Sequence, residues 1–308
     1  MNEIGPYLVP GPTVFVDERR TPLSDVSSMS FGSMPNDGGA LLLNYKEFKE
    51  LVTDHRALPF VRAAAGTREF INGVPRYCVW VSDDQYEAAK AIPSLASRFD
   101  QVRTARTQSK RPATNSLSRW PYRFGEVRQT GDESVIIVSK TASDNRDYIP
   151  ASLLQQGGIV TEAFGLFNAP LWNLAIVVSR LHTVWAKTVC GRMKSDPRYS
   201  NTLGWNTFPV PTMTEKNRAD LTRCAEDILL AREHHFPATI ADLYDPEKMP
   251  EDLRAAHERN DEVLERIYVG RRFKNDTERL EKLFDFYTKM IAAAAPAKGR
   301  KRKAGANA

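Results

Sequence analysis

Apolar positions follow two different periods along the chain. Arg76 to Ser82 (RYCVWVS) and Ser134 to Ser139 (SVIIVS) are β-branched or aromatic runs bounded by polar residues, which predicts strands. Thr13 to Val16 predicts a further short strand, Tyr45 to Thr53 a short helix and Asp84 to Arg106 a helical stretch. Leu171 to Cys190 is apolar on nearly every side and predicts a buried helix. After Pro211 the period becomes helical throughout. Leu221, Cys224, Ala225, Ile228 and Leu229 form one stripe, Leu253, Ala256 and Leu264 a second, and Leu280, Leu283, Phe284, Tyr287 and Ile291 a third. Pro250 suits the start of the second of these helices and Asp276 the cap of the third.

This order predicts an α+β chain, with a mixed α/β domain over residues 21–208 and a small all-helical domain over 209–291. Residues 1–20, rich in Pro and Gly, read as a connector from a preceding domain, and 292–308 as a disordered basic tail. The most apolar window, near Leu174 to Val178, is too short and interrupted to span a bilayer. Cys78, Cys190 and Cys224 are odd in number and far apart, so neither a disulfide framework nor a thiolate metal site is expected. With no signal-peptide pattern at the start, the expectation is a cytoplasmic protein without membrane association.

The net charge of +5 is unevenly spread. Lys298 to Lys303 holds five basic residues, and the remainder of the chain balances at 38 of each sign. Arg98 to Arg128 carries eight basic residues against Asp100 and Glu126, whereas Glu215 to Ile291 has 18 acids against 14 bases. A polyanion would therefore meet the middle of the chain, with the acidic helices bracing it. Within the basic stretch, Arg111, Arg119 and Arg123 interleave with Trp120, Tyr122 and Phe124. That pattern suits phosphate gripping and base stacking, and equally a surface loop whose aromatics pack beneath it.

Gly191 to Pro211 (GRMKSDPRYSNTLGWNTFPVP) groups Arg192, Lys194 and Arg198 around Asp196. On an extended segment Lys194, Asp196 and Arg198, two residues apart, share a face. Lys can donate to guanine, Asp can accept from the cytosine amine, and Arg can hold guanine or phosphate. Alternating charge on a solvated strand is the competing explanation.

Catalytic signatures are scarce. Neither GxxxxGK[ST] nor GxGxxG occurs, and His234-His235 lacks HExxH spacing, so no metal site is expected. Cys190 near His182 reads as a packed thiol rather than a nucleophile. Asn168-Ala169-Pro170-Leu171 lacks the second proline and the aromatic ring of the Asn-Pro-Pro-Tyr motif of amino-methylating enzymes.

From about Tyr7 to Met290 the chain resembles the C-terminal part of the MmeI-like (type IIL) DNA methyltransferase and restriction–modification family. The resemblance rests on PLSDVSSMSFGSMPNDGG from Pro22, RPA from Arg111, YIP from Tyr148 and FGLFNAPLWN from Phe164. Its longest strings are LHTVWAKTVCGRMKSDPRYSNTLGWNTFPVP from Leu181 and ADLYDPEKMPEDLRAAH from Ala241. It implies a target-recognition domain followed by a helical C-terminal domain, acting for a site-specific adenine methyltransferase. Lys194, Asp196 and Arg198 match positions through which the family reads bases, and Thr161 and Glu162 match a second reading region. Arg111, Arg119, Arg123 and Arg192 are then the expected phosphate contacts. The chain departs from the family pattern at Pro197, Gly204-Trp205 and Val210. The resemblance also implies double-stranded DNA and a methyltransferase polypeptide, with or without a nuclease, as partners. S-adenosylmethionine is then expected in that partner and not in this chain. The alternative is an orphan DNA-binding remnant of a split methyltransferase gene.

Overall fold

In the computed structural model, which describes residues 5–7, 13–141, 143–193 and 196–294, short strands and helices alternate up to residue 197 and helices follow. The chain is α+β. β1 (Met29–Phe31) and β2 (Leu42–Asn44) come first, and α1 (Tyr45–Leu51) follows at once. Asn44 starts α1 through a reciprocal cap: its Oδ1 accepts from the Glu47 amide at 3.0 Å, and the Glu47 carboxylate accepts from the Asn44 amide at 2.9 Å. β3 (Val61–Ala65), α2 (Thr67–Asn72) and β4 (Arg76–Val79) follow, with Gly73 closing α2 at φ 62°. α3 (Tyr86–Lys90), α4 (Pro93–Thr107) and α5 (Pro112–Ser116) complete the first half.

β5 (Val135–Val138), four consecutive β-branched residues, is buried along its whole length, as a central strand covered on both faces must be. β6 (Ala151–Leu153), β7 (Ile159–Val160) and β8 (Phe164–Phe167) precede α6 (Trp172–Val177) and α7 (Arg180–Val189). One sheet runs β1-β8-β5-β6 and the other β2-β4-β3-β7. β7 lies parallel to β3, pairing Val160 with Ala65, whereas β8 pairs antiparallel with β5. Residues 161–163 therefore carry the chain from one sheet to the other.

A small hairpin follows: β9 (Arg192–Met193) pairs with β10 (Asp196–Pro197), Pro197 opposite Arg192. The remaining helices are α8 (Glu215–His234), α9 (Ile240–Leu243), α10 (Glu251–Val269) and α11 (Asp276–Ala294). They share one core with the first sheet: Ile136, Phe164 and Leu166 join Trp185, Trp205 and Phe208, and these join Leu221, Leu264 and Leu283. A second core, with Leu41, Leu43, Val79, Phe99 and Val102, lies between the other sheet and α3–α4.

Several expectations change. Thr13 to Val16 forms no strand; it lies along α11, where the Tyr287 hydroxyl accepts from the Asp17 amide and Tyr7 stacks on Phe284 at 5.2 Å. The helical stretch over 84–106 is broken before Pro93, which cannot donate to the preceding turn. The predicted long helix over 171–190 is two helices, because the Ser179 side chain caps a new start by accepting from the His182 amide at 3.1 Å. The cap of α11 is Asn275 rather than Asp276: its Oδ1 accepts from the Glu278 amide at 2.9 Å. Asp276 instead binds Arg180 and Arg279. Lys194 and the basic tail Lys298 to Lys303 lie outside the described residues. Among the described residues, no helix is long and apolar enough to cross a membrane.

Candidate nucleic-acid interface

The sheet-to-sheet crossing fixes Glu162. The Thr161 amide donates to Ala65 O at 3.0 Å, Glu162 O accepts from the Thr67 hydroxyl at 3.1 Å, and Ala163 O accepts from the Gly32 amide at 2.9 Å. With its backbone pinned on three sides, the Glu162 side chain points outward and is exposed. Thr161 points inward. It is fully buried, with a hydroxyl that finds no hydrogen-bond partner, so it is not on the reading surface expected for it. Gly32 makes this junction possible: a Cβ there would stand 2.3 Å from Thr161 O.

The hairpin presents Asp196 and Arg198 outward and tucks Pro197 inward. That alternation is the one expected of an extended strip. Tyr199, fully buried, anchors its base. The Tyr199 hydroxyl lies 3.2 Å from His182 Nε2, and His182 Nδ1 lies 2.9 Å from Val177 O. Donation from Nδ1–H to the carbonyl leaves Nε2 to accept from tyrosine. Burial lowers the His182 pKa to about 4, so the ring is neutral. The Asp196 carboxylate accepts from the Asp144 amide at 3.2 Å, and the Asp144 side chain lies 3.4 Å from the Arg192 guanidinium. A phosphate contact by Arg192 therefore shares its charge with Asp144.

Glu162 and Arg198 line the same open cleft, with a volume of about 680 Å³. Its other walls include Arg68 and Asn72 of α2, Lys140 and Thr141 after β5, Phe31 at the end of β1 and Met34 beyond it. Lys140 Nζ stands 5.0 Å from the Phe31 ring, and the Thr67 hydroxyl accepts from the Lys140 amide at 2.9 Å. No side-chain hydrogen bond or ion pair within the described residues engages Glu162, Arg68 or Arg198. Two guanidiniums and one carboxylate thus face a concave surface with no side-chain partner among the described residues, beside the Lys140 ammonium that stands over Phe31. Arg68, Asn72 and Lys140 had no sequence signal except the four-residue spacing that places the first two on one helix face.

The basic segment is organised around a residue that does not reach solvent. Arg106, 1% exposed, donates to five carbonyls: Pro35, Asn36, Leu117, Trp120 and Arg123. Arg98 pairs with Glu47, and Arg128 with Glu126. The local charge excess at the surface is accordingly smaller than the sequence count. Tyr122 and Phe124 are buried, so packing beneath the loop, not base stacking, accounts for them. Arg119 stacks on Trp120 at 4.0 Å, and Arg123 pairs with Asp83. Arg111 is exposed at the start of α5. The segment returns beside the cleft through the antiparallel bridge between Met34 and Glu126.

Residues 10–212 match the family described as MmeI, target recognition domain, and residues 213–294 match MmeI, C-terminal domain. DNA methyltransferase A of Bacillus subtilis (strain 168) is 36% identical over 292 residues, covering 94% of this chain and 33% of the relative. The solved structure of the type IIL restriction–modification enzyme MmeI in complex with DNA superimposes with a TM-score of 0.87 at 30% identity, over 94% of this chain and 39% of that one. The chain thus spans a third to two-fifths of the length of these relatives and belongs to the MmeI family, of which it carries the target recognition and C-terminal domains.

Proposed function

We propose that the chain recognises a specific double-stranded DNA sequence on behalf of an adenine-specific methyltransferase of the restriction–modification type. The observation that carries this reading is the cleft in which Glu162 and Arg198 converge with Lys140, Arg68 and Asn72. Double-helical DNA presents acceptors on guanine and an amine on cytosine in its major groove. An Arg donates to guanine and a carboxylate accepts from cytosine, so Arg198 and Glu162 together suit a G·C pair. Asn72 offers the amide chemistry that adenine requires, and Lys140 and Arg68 suit guanine or phosphate. Asp196 extends the reading strip beyond Arg198, Lys194 is assigned a base-reading role from its sequence position alone, and Arg111, Arg119 and Arg192 hold the backbone.

S-adenosylmethionine would be held by the methyltransferase domain, and no residue of this chain is assigned to it. That domain performs methyl transfer; this chain decides where. The C-terminal helices brace the recognition surface, in keeping with the core they share with the first sheet. Restoring methylation by supplying a methyltransferase domain tests the reading. Glu162→Gln is expected to relax preference at one position of the methylated site, and an exchange of Lys194 with Asp196 to change preference at another. Each change should amount to about 1–3 kcal/mol of discrimination. An unaltered methylated sequence in both variants would overturn the assignment.

A further inference from the structure

The sequence offers His234-His235 without any recognised metal spacing, but the fold supplies the third ligand. His234 is the last residue of α8 and His235 caps it, while Asp252 lies in the first turn of α10. Asp252 Oδ1 stands 2.7 Å from His235 Nε2, and its Oδ2 stands 3.4 Å from His234 Nδ1. All three ligand atoms fall within 4.8 Å of one another. The carboxylate is already oriented, since Oδ1 also accepts from the Leu253 amide at 2.8 Å.

We propose that His234, His235 and Asp252 bind a divalent transition-metal ion of the zinc or nickel class. Two imidazole nitrogens and one carboxylate oxygen form a borderline donor set, which suits Zn²⁺ or Ni²⁺ better than Mg²⁺ or Ca²⁺. Donors about 2.0–2.2 Å from a tetrahedral ion lie about 3.3–3.6 Å apart, so the 2.7 Å contact opens and the widest separation closes by rotation of surface side chains. Three protein ligands leave one position for water. The site joins the end of α8 to the start of α10, and the loop it fixes runs directly into α9. α9 packs against α2, the helix that bears Arg68 and Asn72 on the cleft wall. The ion thus acts as a clamp on the element that supports one side of the cleft.

Calorimetric titration of the untagged full chain with ZnCl₂, repeated with NiCl₂ and MgCl₂, tests this. One saturable site for zinc and nickel, absent for magnesium, is the expected result. His235→Ala and Asp252→Asn should each weaken it at least about tenfold, since loss of outer-sphere partners alone costs that much. His55→Ala, at an exposed histidine elsewhere, should leave it unchanged. The three ligands are at or near the surface, so each variant is expected to fold, which circular dichroism checks. No saturable zinc binding in the parent, or equal affinity in the His235 and Asp252 variants, would overturn the proposal.

Discussion

At the scale of single residues, the strip that carries Asp196 and Arg198 depends on a histidine held neutral. His182 touches Tyr199, Trp205 and Phe208 through ring contacts of 5.0–5.7 Å and has its pKa lowered from 6.5 to about 4 by burial. The folded state rejects a proton that the unfolded chain accepts. The contribution of His182 is therefore complete above pH 6.5 and is lost as pH falls toward 4, amounting to about 3 kcal/mol at the lower limit. Asp261, raised to about 7 by burial, has the opposite sign over a similar range. Comparison with His182→Gln isolates the histidine: urea unfolding between pH 6.5 and 4 should show a shallower loss of stability in the variant. Equal pH slopes would refute the neutral-histidine account. The cleft residues make a separate prediction at this scale. Arg198→Ala should reduce discrimination at one base pair, read by competition between matched and singly mismatched duplexes, whereas Arg111→Ala should weaken both duplexes equally.

At the scale of elements, Arg106 organises the basic segment and Gly32 the sheet crossing. Arg106→Met removes the buried donor shared by five carbonyls and should cost roughly 3–5 kcal/mol, measurable in denaturant unfolding. Limited proteolysis should then cut first within 107–125, the segment its bonds hold. Gly32→Ala drives a methyl against Thr161 O and Val160 O and should displace Glu162, reducing sequence discrimination without altering Glu162 itself.

The sequence made the strands at Arg76 and Ser134 and the three long C-terminal helices legible, because burial imposes a period there. The short elements were less legible. β7, at two residues, and α2, at six, are too brief for a period, yet α2 lines the cleft and β7 leads directly into Glu162. The exposed strip at Asp196 and Arg198 was readable from its spacing of two. Burial of Thr161 was not, since its inward aim follows from parallel pairing of β7 with β3, a contact about 95 residues apart in sequence. His234-His235 looked isolated for the same reason: Asp252 is brought in by the antiparallel packing of α8 and α10.

At the scale of the whole molecule, recognition surface and helices stand on one hydrophobic core. Trp185 packs on Phe284 and Tyr287 at 5.1 and 5.7 Å, and Arg232 of α8 donates to Ala151 O of β6 at 2.7 Å. The Tyr148 hydroxyl donates to Asp261 at 3.0 Å, and Asn260 donates to Ala175 O at 2.8 Å. A chain ended at residue 212 strips Trp185 of Phe284 and Tyr287 and Ala151 O of its Arg232 donor. It should lose cooperative unfolding by calorimetry and expose apolar surface to dye binding. Retention of a sharp transition would show that the first domain needs no brace.

The measurement that tests the central claim most directly is selection of bound sequences from a random duplex pool by the full chain over a salt series. One short motif should be enriched, and its information should fall at a single position in Glu162→Gln or Arg198→Ala. Binding that vanishes with rising salt and enriches nothing would be phosphate attraction alone and would contradict a reading cleft.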